Sequence, residues 1–318
     1  MTIEKIIELG LWPASKKTTT QKGVEELEVR GYNLFYIGKN ADLYTCPGDD
    51  AKVLLVRSDR CSVFDIPLNL EIEGKGIIQT SISNAAARFA NKCGIKTAIL
   101  EENVESSLDI FPRCQLQELC KPLEAEIDGE VEQFELIFRN YLTGSLYEAC
   151  KNGIDPYGLE LSSDLNEWHK FETPLFTPTT KGVKDIPLNS KKVKETLPEI
   201  ITSLEKLFID FTTFAYANGI VVVDTKFEVF VNSKGEWILG DEVLTPESSR
   251  FIALENFNAN NYISMDKQIL RNFGKENNWK EQAKTLQSGQ KLDVNVPNGV
   301  KQTILDGYET IKNSLHKN

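Results

Sequence analysis

The chain of 318 residues is 41% hydrophobic and 26% charged, ordinary proportions for a globular protein with ample length for a core, as one large domain or two or three packed lobes. Its net charge of −11 argues against general affinity for nucleic acid, but not against small anions, which a local cluster of cations can hold. Six cysteines, at 46, 61, 93, 114, 120 and 150, show no CxxC spacing and no neighbouring histidine, which disfavours a zinc site or a disulfide framework and favours free thiols in a reducing compartment.

His169 and His316 are the only histidines, so a His-based nucleophilic triad is disfavoured and the chemistry must rest on Asp, Glu, Lys, Arg, metal ions or backbone. The opening MTIEKIIELGLW has no basic leader followed by an apolar stretch, and nowhere do eighteen apolar residues run together. The expectation is a cytoplasmic chain with neither nucleic-acid nor membrane partners, its oligomeric state left open.

Ile3, Ile6, Ile7 and Leu9 predict a helical start, and KKTTTQKG after it reads as a loop. From Gly31 to about Asp65 the short patterns YNLFYIG, DLYTC and KVLLVRSD, with turn residues such as CPGDD between them, predict an antiparallel sheet. Helical spacing over 77–93 ends at Gly94, a suitable C-cap. Strands follow around 96–142, and 151–190 is loop-rich. One helix is predicted from Ser190 to Asn218, closed by Gly219, then a hairpin, then sixty mainly helical residues. Sheets and helices segregate rather than alternate, so the fold class is α+β.

The hairpin carries the chemistry. Ile220 to Val223 is uniformly apolar and runs into Asp224-Thr225-Lys226-Phe227-Glu228, while the return strand ends in Gly240-Asp241-Glu242. Alternation puts Asp224, Lys226 and Glu228 on one face and Thr225, Phe227 and Val229 on the other. With Ser233 and Lys234 at the tip, Lys226 lies opposite Asp241 and Glu228 opposite Leu239. Glu228 and Asp241 are then diagonal neighbours, about 7–8 Å apart between alpha carbons, close enough to share one or two Mg²⁺ ions. A solvated strand face with cross-hairpin ion pairs is the plainer explanation. Against it stand the apolar run, which suits a strand buried on both faces, and the exit Leu244-Thr245-Pro246-Glu247-Ser248-Ser249-Arg250, which brings hydroxyls and a guanidinium to the same end.

Two further stretches suit anions. Phe134 to Ala149 (FELIFRNYLTGSLYEA) joins Arg139 to a turn, Thr143-Gly144-Ser145, offering a guanidinium fork, a hydroxyl and backbone N–H groups. Tyr36 to Tyr44 predicts a hairpin with Gly38-Lys39 at its bend, although a surface turn explains it equally well. Neither a P-loop nor a dinucleotide fingerprint occurs.

Taken together, IGKNADLY, SDRCSVFD, FELIFRNYLTGS, FTPTTK, VVVDTKFE, LGDEVLTPESSRF and DKQILRN, in this order from about residue 33 to 273, resemble the SAICAR synthetases (phosphoribosylaminoimidazole-succinocarboxamide synthases) of purine biosynthesis. The resemblance implies an ATP-grasp-like nucleotide cleft between an N-terminal antiparallel β-rich lobe, residues 1–133, and a larger α+β lobe, residues 134–318. It also implies a reaction in which ATP, L-aspartate and 5-amino-1-(5-phosphoribosyl)imidazole-4-carboxylate (CAIR) give the succinocarboxamide, ADP and phosphate through an acyl phosphate.

By matching position, the resemblance assigns Gly38 and Lys39 to the nucleotide phosphates and Glu135 to the adenine side. Glu228 and Asp241 become Mg²⁺ ligands, and Lys226 stands near the transferred phosphate. Arg139, Ser145 and Arg250 hold the ribotide phosphate, and Asp224, Ser62 and Asp65 face the imidazole. Lys181 and Asp185 belong to a loop over CAIR and aspartate. The chain departs from the pattern at Ala41, at Val229-Phe230, at Glu247, one methylene longer than the usual aspartate, at Ile252 and at Asn272. A related ATP-using ligase or kinase with another substrate, or a nucleotide sensor without turnover, is the alternative reading.

Overall fold

The computed structural model describes residues 27–101, 111–182, 185–287 and 289–317; the predicted helix around Ile3–Leu9 and the loop after it lie outside these residues. The predicted N-terminal strands form as Asn33–Ile37, Ala41–Cys46 and Asp49–Arg57. With Cys114–Glu118 and Ile99–Glu101 they make a five-stranded antiparallel sheet. A small hairpin, Arg60–Val63 with Ile66–Glu71, follows.

The helix Lys75–Lys92 buries Ile78, Ile82, Ala85, Ala86 and Ala90. It stops at Gly94 (φ 82), where Gly94 N–H donates to Asn91 O and Ile95 N–H to Ala90 O, both at 3.0 Å. These are the two bonds of a Schellman cap. The second predicted helix is in fact two, Ser190–Thr196 and Pro198–Ala217, with Leu197 between them at φ −123. Pro198 explains the break: it disfavours helical backbone at the preceding residue and suits a helix's first position. The segment 151–190 also holds two strands, Lys170–Phe176 and Thr179–Thr180. No helix among the described residues is long and apolar enough to cross a membrane.

The second sheet has eight strands, centred on Glu130–Tyr141 and Ile220–Val231, which pair antiparallel. It reaches back to Lys121–Pro122 and Glu124–Ile127, on the N-terminal side of the expected division at 133. Ser249–Ala253 flanks Ile220–Val231. The main core lies between this sheet and the helices, and includes Phe134, Leu136, Phe138, Phe176, Phe208, Phe211, Phe227 and Phe251.

Ile220–Val231 does not alternate evenly. Ile220 and Val222 face the main core, while Val221 and Val223 face a separate cluster with Tyr141 and Ile252. From there Phe227 and Val229 are the core-facing residues. The parity switches at a bulge, because Val222 pairs with Phe251 and Asp224 with Arg250, leaving Val223 extra. A bulge of this kind re-aims every side chain beyond it, and it turns Asp224, Lys226 and Glu228 away from the main core.

The hairpin register differs by one residue from the expected one: Glu228 pairs with Gly240 and Val229 with Leu239. Gly235 sits at φ 79 and Asn232 N–H bonds Glu236 O at 3.0 Å, so the connection is a three-residue loop with a left-handed glycine rather than a two-residue tip. The ladder ends at Gly240, and Asp241 (φ 54) turns the chain away.

Glu247 ties the halves together. Its carboxylate, 4% exposed, pairs with Lys267 at 2.8 Å and Lys75 at 3.4 Å, and accepts hydrogen bonds from Asn40 Nδ2 and Tyr308 OH, each at 2.9 Å. Burial alone would raise this acid, but Lys267 and Lys75 hold it far below the carboxylate range. Its stabilising contribution is therefore present above the unfolded carboxylate's titration and lost as pH falls through the depressed value.

Two stability predictions follow from this packing. Glu247→Gln leaves a buried ammonium, Lys75, and a partly buried one, Lys267, without their counter-charge and should cost about 3–5 kcal/mol in urea unfolding at pH 7, with the deficit relative to the unaltered chain shrinking as the pH is lowered below 4. Gly307→Ala would bring a Cβ to 2.6 Å from Met265 O and should cost about 1–3 kcal/mol, whereas Gly299→Ala meets nothing within 4 Å and should not destabilise.

Candidate active site

Arg139, Asp224 and Arg250 come from three adjacent strands and form one row, since Asp224 pairs in register with both arginines. Arg139 Nη1 donates to Asp224 Oδ2 at 2.7 Å and its Nε to Thr177 Oγ1 at 2.9 Å. Arg250 Nε donates to Asp224 Oδ1 at 2.9 Å, and its Nη2 bonds Asp224 Oδ2. Burial pushes Asp224 up, yet Arg250 and then Arg139 hold it below the usual carboxylate range. One carboxylate thus organises two guanidinium groups, whose joint charge exceeds its own. A Cβ on Gly144 would lie 3.3 Å from Arg250 Nη1, so the Thr143-Gly144-Ser145 turn adjoins the row. Ser145 is exposed at the start of the helix Ser145–Lys151.

Two residues along the same strand face, Lys226 Nζ donates to Glu135 Oε1 at 2.6 Å and to Glu228 Oε1 at 2.8 Å. Lys181 pairs with the other oxygen of Glu228, and its ammonium lies 5.8 Å from the Phe230 ring centroid. Glu135, expected at the adenine border, is therefore part of this ionic cluster. Desolvation opposes the charge on Lys226, but Glu228 and Glu135 raise its pKa well above the ordinary lysine value. Lys226 and Lys181 correspondingly hold Glu228 low against its burial.

Asp241 meets solvent yet is crowded by protein atoms, and desolvation followed by Glu228 and Glu242 pushes its carboxyl up to about 7. Glu228 pairs with Gly240, the residue before Asp241, in the last rung of the ladder. In an unbroken strand the one-residue slip would send the Asp241 side chain to the face opposite Glu228, but Asp241 lies beyond the strand, in a left-handed turn at φ 54.

Lys39, at the bend before Ala41–Cys46, pairs with Asp65. Gly38 N–H bonds Ala41 O at 2.7 Å, and Gly38 O accepts from Arg60 Nη2 at 2.9 Å, so the bend is tied to the small hairpin. Ser62 is buried and accepts from Lys267 Nζ at 3.4 Å. Asp65 lies below the usual carboxylate range through its hydrogen bond to Lys39, with Lys267 and Lys226 adding at longer range. Ser62 and Lys267 line one small cavity with Lys75, Glu247 and Tyr308. Asp185 is exposed; Glu135 is raised chiefly by burial, against Lys226, with Asp185 adding a smaller push in the same direction.

Several residues escaped the sequence reading. Glu242 accepts from Gln79 Nε2 and Thr245 Oγ1, each at 2.7 Å, and from buried Arg57 Nη2 at 3.4 Å, which braces the chain next to Asp241. Lys75, Lys267, Asn40 and Tyr308 saturate Glu247, so the longer acid contacts the protein's own groups. Asn40, Glu242 and Lys267 lie within the motifs IGKNADLY, LGDEVLTPESSRF and DKQILRN; Lys75 and Tyr308 sit in ordinary helical patterns.

The sequence model described as SAICAR synthetase matches residues 34–286. The phosphoribosylaminoimidazole-succinocarboxamide synthase of Histophilus somni is 32% identical over 300 residues, covering 89% of this chain and 97% of that protein. Among solved structures, the SAICAR synthase of Saccharomyces cerevisiae complexed with SAICAR superposes with a TM-score of 0.68 at 26% identity, covering 94% of this chain and 98% of that one. A SAICAR synthetase in complex with ADP shares the fold, with a TM-score of 0.61 at 19% identity over 88% of this chain and 97% of that one. The chain belongs to the SAICAR synthetase family.

Proposed function

We infer that this chain is the ATP-dependent ligase that condenses L-aspartate with CAIR to give SAICAR, ADP and phosphate in de novo purine biosynthesis. The observation that carries the reading is the run of paired charges along buried Asp224, half-buried Lys226 and buried Glu228, which joins an arginine pair suited to a phosphate to a lysine–carboxylate cluster suited to a triphosphate. The ligands in the SAICAR and ADP complexes of the structural relatives agree in class with these two regions.

A carboxylate is a poor acylating agent, so the CAIR carboxylate oxygen attacks the γ-phosphorus and the bond to ADP breaks. The aspartate nitrogen then attacks the acyl carbon, phosphate leaves, and the nitrogen gives up its proton. Such chemistry depends on positioning and charge neutralisation rather than on a histidine. Arg139 and Arg250, fixed by Asp224, hold the ribotide phosphate with Ser145 at the adjoining turn. Lys226 lies beside the transferred phosphoryl group, Gly38 and Lys39 meet the nucleotide phosphates, and Lys181 and Asp185 flank the entrance.

Glu228 and Asp241 fit a Mg²⁺ ion. Burial and then the charges of Glu228 and Glu242 push Asp241 up, and a divalent cation there would offset the acidic charge. Two carboxylates are enough for Mg²⁺, which usually takes one or two and completes its shell with water and phosphate oxygens. When bound, the ion would neutralise charge on the phosphates.

Glu228→Gln should lower turnover by about 10²–10³-fold or more while the circular dichroism spectrum stays that of the unaltered chain; full activity would remove Glu228 from the metal site. Arg250→Ala leaves Asp224 paired with Arg139 and should weaken CAIR by about 2–5 kcal/mol, with little change for ATP in substrate titrations. Equal losses for both ligands would take Arg250 out of the ribotide site.

A further inference from the structure

The turn that carries Asp241 belongs to the C-terminal half of the chain, but residues of the N-terminal half hold it on both sides. Before it, Leu239 uses both backbone groups: its N–H donates to Lys96 O at 2.9 Å, and its carbonyl accepts from Ala98 N–H at 2.7 Å. After it, Glu242 receives Gln79 Nε2 on one carboxylate oxygen, and Thr245 Oγ1 with Arg57 Nη2 on the other. Gln79 and Arg57 are sealed from solvent, as is Ser83, which accepts from the same Arg57 nitrogen at 3.0 Å and from Gln115 Nε2 at 3.1 Å. The chain of hydrogen bonds continues from Gln115 to Gln117 on the strand Cys114–Glu118. Arg57 Nε and Gln79 Oε1, both buried, have no hydrogen-bond partner among the described residues. An unpaired buried polar atom costs stability, so packing alone is a poor reason for this cluster. Holding a strained turn is a better one, because Asp241 and Leu244, on either side of Glu242, are both left-handed at φ 54, an outlier for a residue as bulky as leucine.

We propose that Glu242 is the positioning residue of the cation site: clamped by Gln79, Arg57 and Thr245, it fixes the turn so that Asp241 and Glu228 serve one divalent ion. This inference rests on the reading of Glu228 and Asp241 as the Mg²⁺ pair. Glu228 sits on a strand paired on both sides within the second sheet, whereas Asp241 lies beyond the last rung, where the ladder no longer sets its direction. A ligand outside regular structure needs a support of its own, and groups behind the ligands orient them and tune metal affinity. The support reaches through Gln115 and Gln117 into the five-stranded sheet, which also bears the Gly38-Lys39 bend. The turn for the cation and the bend for the nucleotide phosphates are therefore anchored to one sheet.

The test is Mn²⁺ affinity in the presence of saturating ADP, read from the electron paramagnetic resonance signal of the free ion, in Gln79→Met and Thr245→Val. Each variant takes one hydrogen bond from Glu242 and leaves every acid in place, so lost affinity does not come from lost negative charge. Removing a group that supports a metal ligand should raise the Mn²⁺ Kd by about ten- to a hundredfold, while the ADP Kd measured by calorimetry in EDTA stays within about twofold. A merely structural role would lower the melting temperature and leave the Mn²⁺ affinity alone. Unchanged Mn²⁺ affinity in either folded variant overturns the inference, as does an equal loss of ADP affinity without metal, which would mean a general distortion of the site. Should Gln79→Met fail to fold, Thr245→Val, which keeps the shape of the side chain, decides alone. Absence of Mn²⁺ binding to the unaltered chain with ADP would instead overturn the assignment of Glu228 and Asp241, and this inference with it.

Discussion

The extra residue at Val223 decides which way the chemistry faces. Before the bulge, even-numbered positions of Ile220–Val231 point into the main core; after it, odd-numbered ones do. An unbroken strand would have driven Asp224, Lys226 and Glu228 into a layer of phenylalanines, where an unpaired charge is prohibitively costly. The bulge delivers them to the opposite face, still largely buried, and burial then forces each to find a partner. The partners are Arg139 and Glu135 from the paired strand Glu130–Tyr141, Arg250 from Ser249–Ala253, and Lys181 just after Thr179–Thr180.

Charge balance divides the site into regions with different appetites. Around Asp224 the guanidinium groups outnumber the carboxylate; around Glu247 the ammonium groups do. Around Asp241 the acids dominate. Each imbalance is held in place by hydrogen bonds within the protein, so the residual charge is preorganised rather than assembled when a ligand arrives. Preorganisation of this kind is how a water-poor site stabilises phosphoryl transfer without an acid–base histidine.

Backbone strain marks the same places. Of the nine non-glycine residues with positive φ among the described residues, four, Phe64, Asp65, Asp241 and Leu244, lie in the turn of the small hairpin and on either side of Glu242. Glu242 shows how such a turn is secured, since Arg57, Gln79 and Thr245 grip the residue that follows Asp241. Glu247 does the same on a larger scale, gathering the Asn40 bend, two lysines and the final long helix around one carboxylate.

The segregation of sheets and helices, the Gly94 and Gly219 helix stops and the two hairpins were legible because each depends on local pattern: alternation, helical spacing, or a residue that tolerates left-handed backbone. So was the set of charged residues, since acids and bases in a buried-strand context stand out in any register. The break at Pro198 was written in the chain but outweighed by the apolar periodicity around it. The residue missing from the expected hairpin tip, the bulge at Val223 and the four partners of Glu247 were beyond reach. They are settled by how Ser249–Ala253, the Gly235 turn and distant helices pack against one another, and a pairing between residues 172 positions apart, as for Lys75 and Glu247, leaves no trace in local sequence. The chain by itself determined which charges must be compensated; only packing in three dimensions decided which face they share and who compensates them.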